Sequence, residues 1–149
     1  MPFDREMIEA KLALNLIASV DMPRIAWDAL EAGLDGPSIR RLAALERPTF
    51  FEVREVLPRV SEEMGLSRLS TGEAALRLAR QRASEILESG DDPLLHTRDF
   101  EQLWVRAGYP REIAGVGKLY DEVYIAESMN QSEEKIRTWV TARLTDLVR

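Results

Sequence analysis

His96 is the only histidine among the 149 residues, with Asp92 four positions before it and Asp99 three after. On a helix this spacing turns both carboxylates toward the imidazole, as in an oriented general base or the beginning of a metal site. A metal needs three or four ligands, and the chain has no second histidine and no cysteine to complete such a set. Asp92 also stands directly before Pro93, which is the place of a helix cap. The expectation is a surface histidine in an ion-pair cluster, with no metal ligand and no cofactor.

Carboxylates occur in adjacent pairs at Glu62-Glu63, Asp91-Asp92, Asp121-Glu122 and Glu133-Glu134. Helical neighbours point about 100° apart, so no pair forms a two-carboxylate site by itself. Solvation and contact with positive helix N-termini account for most of them. A Mg²⁺ site assembled from separate helices stays open, and with it a carboxylate-dependent metal hydrolase. Gly115-Val116-Gly117-Lys118 has the end of a phosphate-binding loop but not the rest. The loop requires glycine where Glu112 stands and Ser or Thr where Leu119 stands. These glycines fit close helix packing or an irregular turn. Serine and threonine lack a partner base and a nucleophile-elbow pattern, and no catalytic residue is assigned.

The arginines are the best candidates for binding. On the helix expected after Ser70, Arg77, Arg80, Gln81 and Ser84 share one face, opposite an apolar stripe of Leu76, Ala79, Ala83, Ile86 and Leu87. Arg68 joins them, and Arg40, Arg41, Arg47, Arg54 and Arg59 precede. Arginine forks suit carboxylates or phosphates. No aromatic interleaves this face, so a stacking platform for single strands is not indicated. Glu73 stands four residues before Arg77 and is placed to pair with it, leaving Arg80 the freer cation. Arg77, Arg80, Gln81 and Arg68 form the expected partner-binding surface, with an acidic protein preferred over nucleic acid.

Charge follows the same segmentation. Residues 1–39 carry 3 basic and 7 acidic side chains, residues 40–82 carry 9 and 6, and residues 83–149 carry 8 and 13. The net charge of −6 disfavours a general binder of nucleic acid or anionic membrane. No apolar run is long enough to span a bilayer. The start, Met1-Pro2-Phe3-Asp4-Arg5-Glu6, is acidic and lacks the pattern of a signal peptide, so a cytoplasmic protein is expected. Without secretion the Asn130-Gln131-Ser132 sequon is empty.

Helical punctuation must position all of these groups. Asp4 can cap a helix through Ile8, Leu12 and Leu16. Pro23 fits a first turn, and Gly33 a left-handed stop. Asp35-Gly36-Pro37 restarts a helix with Ile39, Leu42 and Leu45. Thr49 and Glu52, then Ser70 and Glu73, have capping-box spacing, with stops at Gly65 and Gly90. Pro58 should kink or split the helix it falls in. A segment opened by Asp92-Pro93 runs to Gly108, another restarts after Pro110, and Asn130 with Glu133 can cap the last. Trp104, Tyr109, Tyr120 and Trp139 are expected in the core. Trp27 is expected at a stripe's edge, and one of Phe50 and Phe51 against another element or at an interface. Strand signals are nearly absent. The expected fold is all-α, a compact irregular or orthogonal bundle of about seven to eight helices in one domain over residues 1–149.

The stretch Ala29-Leu30-Glu31-Ala32-Gly33-Leu34-Asp35-Gly36-Pro37-Ser38-Ile39-Arg40-Arg41-Leu42-Ala43 resembles a segment of small all-helical bacterial proteins of unknown function, as does the later Gly90-Asp91-Asp92-Pro93. The resemblance implies a helical fold and brings no activity, cofactor or catalytic residue. The first stretch also resembles one helix-turn-helix unit of HEAT-type repeats, although no second copy follows. Small acidic helical proteins commonly neutralise or adapt other proteins, as immunity proteins of toxin systems do. The expected function is therefore a non-enzymatic protein-binding module, with a nucleic-acid-associated regulator using the basic middle as the alternative.

Overall fold

The computed structural model describes residues 2–149, and among them every regular element is helical. The chain divides into two compact units, residues 1–69 and 70–149. The first holds α1 (Arg5–Ala13), a 3-10 turn (Ser19–Asp21), α2 (Met22–Glu31), α3 (Pro37–Ala43) and α4 (Phe50–Met64). The second holds α5 (Thr71–Ser89), a 3-10 turn (Pro93–Leu95), α6 (Thr97–Arg106), a 3-10 turn (Arg111–Ile113), the single turn α7 (Ala114–Gly117), α8 (Leu119–Ser128) and α9 (Glu133–Val148). This is the all-α fold that the apolar spacing dictates.

Local punctuation sets most boundaries. Asp4 accepts from the Met7 amide at 3.3 Å. Thr49 and Glu52 form a complete capping box, with reciprocal bonds of 3.2 and 3.1 Å. Ser70 Oγ accepts from the Glu73 amide at 3.1 Å. Gly65 and Gly90 close α4 and α5 with φ of 69° and 74°, where a side chain would be strained. Several boundaries differ from expectation: α1 stops at Ala13, short of Leu16, and the segment after Pro110 is broken into a 3-10 turn, α7 and α8. The last helix is capped by Ser132, which accepts from Lys135 at 3.2 Å, while Asn130 takes a left-handed φ of 60° in the turn before it. Asparagine tolerates that conformation better than most residues, so it serves the turn and leaves the cap to serine. The segment after Asp92 breaks at His96 into a 3-10 turn and α6.

Pro58 lies inside α4 without splitting it. Val53, Val56, Val60 and Met64 are buried on one stripe running past the proline and anchor both halves. Pro58 itself is exposed, so the carbonyl one turn back that loses its donor faces water. In the first unit this stripe closes on Met22, Ala26 and Ala29 of α2 and Ile39 and Leu42 of α3. In the second, α5 packs along α9. Its buried side is Ala75, Ala79, Ala83 and Ile86, whereas Leu76 and Leu87 are only half-buried. Small side chains on the stripe bring the helix backbones close, and the larger leucines fall at its edges.

Three glycines mark close approaches. A Cβ on Gly36 would occupy the space of the Glu63 carboxylate, one on Gly72 that of Glu112, and one on Gly117 that of the Trp104 ring. Gly115 has open space around it. Of the sequence's glycine pair, one is therefore a packing requirement and the other is not. Gly117→Ala should destabilise by about 1–3 kcal/mol, because the indole cannot yield as a flexible chain end would. Gly115→Ala should be neutral or stabilising by up to about 1 kcal/mol. Urea denaturation of both variants checks this, and equal midpoints would remove Trp104 as the cause.

Candidate functional site

The arginine face of α5 is largely engaged within its own unit. Arg80 is exposed, but its Nε–H donates to the Leu147 carbonyl at 3.0 Å and so closes the last turn of α9. Sequence spacing made Arg80 the freer cation. The contact across 67 residues, invisible to helical periodicity, gives it a structural task instead. Gln81 Nε2 donates to Glu85 one turn on at 3.3 Å. Arg77 is half-buried and also engaged. Arg68 is exposed in the first unit, where it lines a cleft with Glu9, Leu57 and Leu66. Within the second unit, Arg77, Arg80 and Gln81 do share α5, but as members of intramolecular ties.

His96 sits at the break between the 3-10 turn and α6, with a backbone φ of −117°. That break cancels the i−4 relation, so Asp91 and not Asp92 approaches Nε2, at 3.4 Å. Nδ1 lies 2.9 Å from an Arg82 nitrogen and 3.3 Å from Asp99 Oδ2. Arg82 also reaches Glu85 at 3.2 Å. The expected ion-pair cluster is present with one member exchanged. No group of three or more histidine, aspartate or glutamate side chains among the described residues is arranged to hold a metal ion.

Asp92 accepts from the Leu94 amide at 3.1 Å, the capping role its place before Pro93 implies. It also takes a two-pronged contact from Arg137 at 3.0 and 3.1 Å. The Arg137 hydrogen bonds hold the Asp92 carboxyl below its ordinary range, and the same pairing raises the guanidinium. Arg137 reaches Glu133 as well, at 2.7 Å.

An exposed apolar face lies on α8, where sequence reasoning placed none. Leu119, Val123 and Ala126 are buried on one side. Tyr124, Ile125 and Met129 point outward, with 70%, 55% and 72% of their surface exposed. Tyr120 is also exposed, under the guanidinium of Arg98 at 5.4 Å, and Trp139 is only half-buried. Neither ring joins the core as its apolar neighbours suggested. Tyr109 is exposed too, edge-on to half-buried Trp104 at 5.0 Å, and both Phe50 and Phe51 are exposed beside each other. The signal for α8 was available: Leu119-Tyr120-Asp121-Glu122-Val123-Tyr124-Ile125-Ala126 holds more large apolar side chains than one helical stripe can bury.

Beside this face, Ile125, Ala126, Met129, Gln131, Trp139 and the Glu122–Arg143 pair enclose an open depression of about 250 Å³. Its polar groups are fixed. Trp139 Nε1–H donates to Gln131 at 3.3 Å. Arg143 lies 5.7 Å over the Trp139 ring, pairs with Glu122 at 2.8 Å and donates to the Gly115 carbonyl at 2.9 Å. The floor is thus preformed, and the exposed side chains form its rim.

Asp92 gives a pH test of the charged ties. Its folded value lies below its ordinary 3.8, so its contribution is complete above that value and is lost as pH falls through the lower one. Asp92→Asn should cost at most about 1 kcal/mol at neutral pH, since the pair is partly exposed. The gap to the parent should close from about pH 4 downward. Urea denaturation of both proteins across pH 2.5–7 reads it; a gap that stays constant to the acid end would place the loss elsewhere.

No protein-family profile, no curated protein and no solved structure matches this chain.

Proposed function

We propose that this chain is a non-enzymatic protein-binding module of the adaptor or neutralising kind, acting in the cytoplasm, with α8 and the adjoining rim of α9 as its docking face. The observation that carries the reading is the contiguous arc of Tyr124, Ile125 and Met129 beside a depression floored by Trp139. Single exposed apolar residues need no explanation, but a helix face that gathers them does. Tyr, Trp, Met and Arg are the residue types enriched in protein interfaces, and all four meet here. The engaged state of Arg80 and Gln81 weakens the nucleic-acid alternative. The pairing of Asp92, Glu122 and Glu133 with arginines weakens the metal-hydrolase one.

The test compares the parent with Ile125→Asp/Met129→Glu. Both positions are exposed, so each change should alter stability by no more than about 0.5 kcal/mol. Affinity capture from the source cells should yield a stoichiometric protein with the parent and lose it with the variant. Capture of the same proteins by both would sink the α8 face as the docking site. Duplex DNA or RNA binding by the parent would favour the regulator instead.

A further inference from the structure

The α8 face is bordered mainly by carboxylates, with Lys118 at its start and Lys135 beside Glu134. Residues 121–134 contain five carboxylates and no lysine or arginine. Arg143 neutralises Glu122 and Arg137 neutralises Glu133. Asp121, Glu127 and Glu134 make no ion pair among the described residues. At 100° per residue, Asp121 falls between Tyr124 and Ile125 on the exposed arc, and Glu127 falls on the other side of Tyr124. A second depression, of about 600 Å³, lies across Gln131 from the first and is lined by Leu94, Leu95, Ile136, Asp92, Glu127 and Glu133. Leu95 is exposed at its edge. The α8–α9 turn thus lies between two depressions of mixed apolar and polar lining, with Glu127 the unpaired carboxylate in the second.

We propose that the occupant of this face is a cationic amphipathic helix of another protein, an inference that rests on the docking reading above and adds the chemistry of the partner. Helix-in-groove recognition needs apolar contact between helices, and Trp139 with the Ile125 and Met129 rim supplies it. Strand addition has no template, since no described residue is in a strand. Lysine or arginine flanking the partner's apolar stripe would meet Asp121, Glu127 and Glu134. Lys118 and the Arg98–Tyr120 contact stand at the N-terminal end of α8, one turn from Asp121, so the partner's basic residues are drawn chiefly to Glu127 and Glu134 at the other end. A second copy is disfavoured, because a two-fold contact through this face would bring its three unpaired carboxylates against their own equivalents. Phosphate-bearing partners meet the same repulsion.

The probe is a fluorescein-labelled, stapled helical peptide with Leu or Met at i, i+4 and i+7 and lysines flanking that stripe. Its controls are an isomer with every lysine replaced by glutamate and one with the apolar residues scattered around the helix. The cationic amphipathic peptide should bind the intact chain at least about tenfold more tightly than either control at low salt. The charge-dependent part should shrink at 0.5 M salt, where the screening length falls to a few ångström. Glu127→Lys/Glu134→Lys should weaken it about fivefold or more, and Ile125→Asp should remove it. Equal binding of cationic and anionic peptides, or binding indifferent to Ile125→Asp, would overturn the proposal. Self-association of the parent that Ile125→Asp abolishes, read by sedimentation, would also overturn it in favour of a second copy. If the captured cellular protein still depends on Ile125 and Met129 while the cationic peptide shows no preference, only the partner's charge class fails. If neither assay depends on those residues, the docking face fails with it.

Discussion

Short helices leave many backbone groups without partners, and closing those ends is the demand on which the rest of this molecule turns. Each helix exposes four amides at its start and four carbonyls at its end. With most helices here at ten residues or fewer, end groups are a large share of all backbone groups. Local caps settle α1, α4, α5 and α9. The remainder needs side chains from far away in sequence. Glu63, near the end of α4, receives the Ser38 and Ile39 amides at 3.0 and 2.9 Å and so caps α3. Gly36 is glycine because that carboxylate fills the space of its Cβ. Arg80 closes α9 through Leu147, and Arg143 takes the Gly115 carbonyl.

That demand decides which charges remain for a partner. A charged group that hydrogen-bonds a helix end or an opposite charge has a fixed geometry and a neutralised field. Swinging it toward another molecule would leave the helix end unpaired, at a cost of about 1–3 kcal/mol if that end is buried. Arg80, Arg137, Arg143, Glu63 and Asp92 are committed in this way. The carboxylates around α8 that lack such duties keep both their freedom and their field. A charge-rich sequence thus divides into charges that tie the fold together and others, Asp121, Glu127 and Glu134 among them, that have no such duty.

The legibility of the sequence follows the range of each interaction. The Thr49–Glu52 box, the Asp4 cap, Pro23 and the left-handed Gly33, Gly65 and Gly90 are written within four residues, and each stands where the pattern puts it. The Asn130 cap failed locally, because Asn130 and Ser132 both qualify and only the turn's backbone chooses between them. The break at His96 was hidden by apolar spacing that fits one long helix equally well. Arg80–Leu147 and Glu63–Ile39 span 67 and 24 residues, and no periodicity encodes them. The arginine face was therefore read as available from its helix alone, while Tyr124, Ile125 and Met129 were left without a reading beside the Tyr120 stripe.

The exposed face on α8 also has to be compatible with a protein that stays folded and dispersed. Its apolar side chains add little to the fold, since most of their surface is already in water. The buried Leu119, Val123 and Ala126 hold α8 in place without them. On the proposed reading, the same carboxylates would repel an identical face. Because Arg143, Glu122, Trp139 and Gln131 already hold one another, docking on this floor orders few side chains, and little of the contact energy is lost to immobilising them. For the proposed partner, affinity would then depend on the rim: apolar contact from Tyr124, Ile125 and Met129, and attraction between unlike charges that speeds encounter more than it strengthens the complex.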